Sequence, residues 1–177
     1  MRIVRRDGWD AITLRGLAAE AGVSMGMVQH YFTTKEQMLR FAVEMMAEDT
    51  RQRIRQRVAE LPQPIAPRTL VQAVLTEMIP DADRKPDEAE GAQVWVRRFL
   101  LPPDPDWPLS NGYAEVKTAV ADQIQLVRPG KAEAERDADA LVALLDGMIY
   151  HIVTGNLTAR AATAIISAQL DYVFGPQ

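Results

Sequence analysis

The sequence has no cysteine, only two histidines and no uncharged apolar run long enough to cross a membrane. Without cysteine the chain forms no disulfides, no thiolate zinc sites and no thiol nucleophile. His30 and His151 do not suffice for a histidine-rich metal centre, and we expect neither a metal nor a cofactor. A membrane-spanning helix needs about 20 apolar residues, so we expect no membrane partner. The N-terminus lacks a signal-peptide core, which predicts a cytoplasmic protein.

Strand signals are also scarce, because no run alternates apolar and polar residues between hairpin turns. Apolar residues recur instead at spacings of three and four, as in the series Leu141, Leu145, Met148 and Ile152. This period, together with the many alanines of the C-terminal half, is typical of helices. We therefore predict an all-α fold, built as one domain or as a small module joined to a larger one.

Proline and glycine divide the chain into about nine predicted helices, of which the first is truncated and ends at Gly8. Two short helices follow within residues 13–32. The longer helices are predicted at roughly 34–60, 68–79, 87–101, 109–128, 132–154 and 158–174.

The charge is unevenly distributed along the chain. The net charge is −4, yet residues 1–60 carry ten basic and eight acidic side chains. A basic head on an acidic body is typical of a DNA-reading module joined to a regulatory domain. Within the head, Arg51, Arg53, Arg55 and Arg57 indicate a solvated helix face with an Asp49–Arg53 pair rather than a DNA patch.

Residues 13–32 predict a helix-turn-helix unit. Thr13 and Ser24 are suitable N-caps for two short helices, and Gly22 supplies the turn between them. Val28 marks the inward face of the second helix. The opposite face is polar and contains a glycine that allows close backbone approach, which favours groove reading over an ordinary helical hairpin in a core. Its residues are Ser24, Met25, Gly26, Gln29 and His30.

Three stretches carry a resemblance to a known family: residues 8–13 (GWDAIT), 17–26 (LAAEAGVSMG) and 31–39 (YFTTKEQML). Together they resemble the N-terminal domain of the TetR family of transcriptional regulators. The resemblance implies that Thr13 contacts phosphate and that the five groove-facing residues read the major groove. It further implies that Tyr31 and Lys35 clamp the DNA backbone, with Thr34 capping the next helix. The helices around Trp95 and around 146–147 resemble, more weakly, the ligand domain of BetI-like members.

Two departures from the family pattern bear on these expectations. Many members have an aromatic residue where this chain has Gln29, and glutamine can pair with adenine. Only Met1–Asp7 precede Gly8, so either upstream residues are missing or the start site lies inside the first helix. The alternative is a first helix that is truly short.

These observations predict a DNA-binding domain at 1–45 and an effector-binding and dimerisation domain at 46–177. The expected function is transcriptional repression, with release from a pseudo-palindromic duplex operator by an unknown small-molecule effector. We expect no catalytic residue, because no nucleophile–base or phosphate-loop arrangement is present. The alternative is a helical enzyme or small-molecule-binding protein with a vestigial DNA-binding head.

Two sites are predicted in the body. Bulky apolar side chains with a few polar partners predict an effector pocket lined by Trp95, Arg98, Phe99, Tyr113, Met148 and Tyr150. The last helix carries two apolar stripes, of which one packs in the protomer and the other meets a second copy. The predicted homodimer interface comprises Ile165, Ile166, Leu170 and Val173.

Overall fold

The computed structural model describes residues 13–81 and 110–175, together with positions 92 and 96. These ranges contain seven helices and no strand, which confirms the all-α prediction. The helices are α1 Leu14–Ala21, α2 Met25–Tyr31, α3 Lys35–Ala59, α4 Pro67–Glu77, α5 Ser110–Val127, α6 Lys131–Val153 and α7 Ala159–Phe174. The predicted first helix and most of the predicted helix 87–101 lie outside the described residues.

Local chemistry explains where the helices start and stop. Thr158 caps α7, since its hydroxyl oxygen accepts a hydrogen bond from the Ala161 amide at 3.2 Å. Pro67 opens α4, where its missing amide hydrogen is not needed. The long helix α3 ends at Ala59, close to Leu61 and Pro62. The proline ring disfavours helical geometry at the residue before it, so the helix does not continue through Leu61.

The core of the body lies between α4, α5, α6 and α7. Its side chains come from all four helices, and burying each contributes about 1.5–3 kcal/mol. The largest fully buried ones are Leu75, Ile124, Leu141, Leu145, Ile166 and Leu170. Ile166, Leu170 and Val173, which were predicted at the dimer interface, therefore belong to the core of the protomer itself. A side chain that is covered by its own chain has no surface to offer a second copy.

The helix α3 joins the helix-turn-helix head to the body. It runs without a break from residue 35 to residue 59, so the predicted domain boundary at 45/46 falls inside one helix. Arg53 Nε lies 3.6 Å from Glu77 Oε2, and Arg53 Nη2 donates to the Glu77 carbonyl at 3.3 Å. The expected Asp49–Arg53 pair is thus replaced by a contact between α3 and the end of α4. The neighbouring Arg51 and Arg55 pair with Glu48 on the exposed face, as a solvated surface requires.

A buried arginine fastens the start of α4 to α7. Arg68 Nε donates to Asp171 Oδ1 at 3.1 Å, and Nη1 donates to Gln72 Oε1 at 2.8 Å. Its Nη2 donates to the Ser167 carbonyl at 3.3 Å, so each guanidinium nitrogen has an acceptor. The side chain of Asp171 is 44% exposed, so the buried charge of this pair is the arginine, and loss of Asp171 would leave that charge with neutral acceptors. The helix α4 is therefore attached to α3 at one end and to α7 at the other.

Candidate nucleic-acid interface

The turn between α1 and α2 is built by three short-range devices. Thr13 Oγ1 accepts from the Gly16 amide at 2.9 Å, and Ser24 Oγ accepts from the Met27 amide at 3.1 Å. Gly22 ends α1 with φ +67°, a conformation that a side chain would oppose, and the Val23 amide donates back to the Ala18 carbonyl at 3.0 Å. Two short helices with a tight glycine turn between them result, as the sequence predicts.

The buried side of this unit fixes which face of α2 is available. Val28 is 6% exposed and shares the interior of the head with Ala18, Met38 and Val43. Phe32, at the end of α2, packs its ring against that of Phe41 with centroids 5.5 Å apart. Because Val28 faces inward, the residues about half a turn away face outward.

The outward face of α2 carries most of the predicted groove-reading residues. Ser24, Gly26, Gln29 and His30 are exposed, whereas Met25 is only partly exposed at the edge of the head. Met27, which the sequence reasoning missed, is 53% exposed. Met27 lies about 100° around the helix from the inward-facing Val28 and about 100° from the outward-facing Gly26. This spacing in the sequence is the signal that places it at the edge of the exposed face.

The contacts expected to hold the DNA backbone lie beside this face. Tyr31 is 72% exposed, and its ring meets that of His30 edge-on with centroids 5.2 Å apart. Thr34 caps α3 by accepting from the Gln37 amide at 3.2 Å, while Gln37 Oε1 accepts from the Thr33 amide at 2.8 Å. Lys35 is the first residue of this 25-residue helix. A helix N-terminus and a lysine at one place favour an anion.

In the body, the predicted effector residues are not all on one surface. Trp95, Arg98 and Phe99 lie outside the described residues. Met148 is buried in the core, whereas Tyr150 is half-exposed. Two residues along a helix correspond to about 200°, so Met148 and Tyr150 leave α6 on opposite sides and do not line one pocket.

Tyr113 belongs to a polar group between α5 and α6. Its hydroxyl donates to Asp139 Oδ1 at 3.3 Å, and Lys117 Nζ donates to Asp139 Oδ2 at 2.8 Å. Burial, followed by the Asp139 charge, raises the pKa of Tyr113, and the hydrogen bond to Asp139 raises the pKa of Lys117. Two turns further along α6, burial raises the pKa of Asp146 from 3.8 to about 6. Asp146 is a partly buried carboxyl group near Tyr113.

The structure also contains a surface concavity of about 400 Å³ between the ends of α5 and α7. Tyr113, Met148 and Tyr150, the predicted effector residues that the structure describes, do not line it. Its lining residues are Val127, Arg128, Tyr172, Val173, Phe174 and Gly175. Among the described residues, no three acidic or histidine side chains are grouped so that they could hold a metal ion. No helix within the same residues is long and apolar enough to cross a bilayer.

The helices α6 and α7 each carry a row of exposed residues that are small or apolar, and we call these two rows together the α6/α7 outer face. On each helix the exposed positions repeat at three and four, so they share one side. The outer face comprises Ala140, Ala143, Gly147 and Tyr150 of α6 with Ile165, Ala168 and Tyr172 of α7. Of the four predicted interface residues, only Ile165 is exposed. The exposed apolar stripe of α7 is thus Ile165, Ala168 and Tyr172, whereas Ile166, Leu170 and Val173 are buried in the protomer.

Comparisons with known proteins agree with this architecture. Residues 1–41 match the family model of bacterial regulatory proteins of the tetR family. The HTH-type transcriptional regulator PksA of Bacillus subtilis (strain 168) is 27% identical over 158 residues, which cover 85% of this chain and 73% of that protein.

Two solved structures have the same fold. A transcriptional regulator from Rhodococcus sp. Rha1 superposes with a TM-score of 0.79 at 21% identity, over 97% of this chain and 90% of that one. A TetR-like transcriptional regulator from Rhodococcus sp. RHA1 gives a TM-score of 0.73 at 13% identity, over 99% and 91% of the two chains. At these identities the likeness concerns the fold.

Proposed function

Because the chain belongs to the TetR family of bacterial regulatory proteins and is a DNA-binding transcriptional regulator, we propose that it is a homodimeric repressor that a small-molecule effector releases from its operator. The observation that carries the proposal is the outward face of α2. It is exposed and largely polar, and it contains Gly26, which the fold itself does not require. Among the described residues, an added Cβ at Gly26 would meet only Ser24 Oγ, at 3.9 Å.

In this proposal α2 lies in the major groove. Gly26 allows the helix backbone to approach the base edges, and Gln29 pairs with adenine N6 and N7. Thr13, Tyr31 and Lys35 hold the DNA backbone, with the phosphate near the start of α3. The base contacts specify the sequence, while the phosphate contacts supply most of the salt-dependent affinity.

The proposed dimer forms through the α6/α7 outer face. Small residues such as Ala143, Gly147 and Ala168 let two helix pairs approach closely, and Tyr150 and Tyr172 supply apolar area at the edges. A twofold axis makes the same surface complementary to itself. Two heads related by that axis would read two half-sites of a pseudo-palindromic operator about one helical turn apart.

The effector acts by changing the separation of the two heads. The helix α3 begins in the head and reaches the body, where Arg53 contacts Glu77 at the end of α4. Arg68 fastens the start of α4 to α7, the helix of the proposed dimer face. A ligand that moves α4 would thus move α3 relative to the dimer axis. The proposed effector site keeps Trp95, Arg98, Phe99 and Tyr113, whereas Met148 is assigned to the core and Tyr150 to the outer face.

The experiment that tests this function measures duplex affinity against salt concentration. Lys35→Ala should weaken binding to all sequences and reduce the salt slope by about one for each head. Lys131→Ala, which removes an exposed lysine at the start of α6, is the matched control and should leave the slope unchanged. Duplex binding without a steep salt dependence in the unaltered protein would contradict the proposal.

A further inference from the structure

Met27 is an apolar side chain on the surface that is proposed to enter the groove. Its side chain is 53% exposed, whereas its backbone amide donates a hydrogen bond to Ser24 Oγ at 3.1 Å. The inward positions of the head are filled by other side chains, among them Val28 and Met38. The fold therefore orders the backbone of Met27 while making little use of its thioether.

The neighbours of Met27 define what it could contact. Taking Val28 as the inward direction, Gly26 and His30 lie opposite, and Met27 and Gln29 lie on the two flanks. Gly26 has no side chain, so the backbone between the flanks can approach the bases closely. A methionine at one flank and a glutamine at the other would then reach bases on either side of Gly26.

A methionine side chain has no hydrogen-bond donor for a base edge and only a weak acceptor. Among the base edges of the major groove, thymine alone offers an apolar group, its 5-methyl. On the basis of the proposed function, we propose that Met27 recognises a thymine in each half-site by contacting its 5-methyl group. Since Gln29 favours adenine, both flanks of α2 select A·T pairs, and the half-site centre is A·T-rich.

The test replaces thymine by deoxyuridine, which removes the 5-methyl and keeps the Watson–Crick pairing. The operator is first selected from a random duplex library with the full chain. Each thymine of the selected half-site is then replaced in turn, symmetrically in both halves, and the affinity is measured. At one position the affinity should fall about fourfold per half-site, the value of one buried methyl-sized group.

The variant Met27→Ala should bind the thymine operator about fourfold more weakly per half-site and should no longer distinguish uracil from thymine at that position. The matched control is Met45→Ala, which shortens a methionine of α3 that is 48% exposed and lies ten residues beyond Lys35. The Met45→Ala protein should still lose about fourfold in affinity per half-site when thymine is replaced by deoxyuridine.

Three results would overturn the inference while leaving the proposed function intact. The first is a selected half-site that contains no A·T pair, and the second is an operator on which no replacement of thymine by deoxyuridine lowers the affinity. The third is a Met27→Ala variant that still loses affinity when thymine is replaced by deoxyuridine. A library from which no sequence is enriched is a different outcome. It contradicts sequence-specific binding itself, and the inference with it.

Discussion

Replacing Gly26 by alanine should stabilise the free protein and weaken its binding to the operator. Gly26 is exposed in α2, and its φ is not positive. Within the part of the chain that the structure describes, the added methyl group would meet only Ser24 Oγ, at an ordinary van der Waals distance of 3.9 Å. Glycine within a helix costs about 0.5–1 kcal/mol relative to alanine, so unfolding should require that much more free energy.

The same methyl group should hold α2 away from the base edges. Losing one good base contact costs about 1–3 kcal/mol, so the affinity should fall about five- to 150-fold for each head. Denaturant unfolding measures the first effect, and titration of a labelled duplex measures the second. Sedimentation should show that the Gly26→Ala protein remains a dimer.

Gly147→Ala is the matched control, because it adds the same methyl group to another exposed helical glycine, where no atom of residues 13–81 or 110–175 lies within 4 Å of the added Cβ. Since Gly147 lies on the α6/α7 outer face, this variant should change the sedimentation and leave operator binding by the dimeric fraction unchanged. A Gly26→Ala protein that binds the operator as tightly as the unaltered chain would refute the reasoning, because α2 would then not approach the bases closely.

Four further predictions concern separate parts of the molecule. Gln29→Ala should relax the sequence preference at one base pair per half-site, as read by library selection, and an unchanged preference would remove it from the base-reading set. Arg68→Ala should lower the free energy of unfolding by about 1–3 kcal/mol in denaturant titrations, because the buried guanidinium loses its charge-assisted hydrogen bonds while Asp171 stays half-exposed to water, and an unchanged free energy of unfolding would show that Arg68 does not fasten α4 to α7 in solution. Asp146→Asn should stabilise the protein at pH 7 and flatten the stability profile between about pH 4 and 6. The folded carboxyl has a pKa of about 6 against 3.8, so stability falls as pH rises through this window, and an unchanged profile would contradict the burial of Asp146. Tyr172→Glu, at a position that is 79% exposed, should give monomers in sedimentation. The control Leu126→Glu, at a position on α5 that is 70% exposed, should remain a dimer. The reverse result would place the interface elsewhere.

The sequence was sufficient to predict the helix-turn-helix because its signals are local. Thr13 and Ser24 cap the helices that directly follow them, and Gly22 supplies the one positive φ that the turn needs. The inward position of Val28 follows from its spacing alone. Side-chain polarity does not indicate Met27 as part of the exposed face, whereas its exposure depends on the direction in which the residue leaves the helix.

The contacts between distant helices could not be predicted in the same way. Periodicity gives two apolar stripes on α7, and only the packing of α4, α5 and α6 decides that Ile166 rather than Ile165 faces the core. Arg53 has an acid four residues before it, yet it pairs with Glu77, 24 residues later in the chain, because α4 packs beside α3. Tyr150 was assigned to a pocket by residue type, and its exposed position on α6 depends on the neighbouring helices.

The most direct test of sequence-specific operator reading by α2 is a selection from a random duplex library followed by footprinting of the enriched sequence. A dimer with two reading heads should enrich a pseudo-palindrome and protect two patches on one face of the duplex, about one helical turn apart. The double variant Gln29→Ala with Gly26→Ala should lose both the enrichment and the footprint. Enrichment of no sequence, or an unchanged footprint from the double variant, would contradict the assignment of this surface to the major groove.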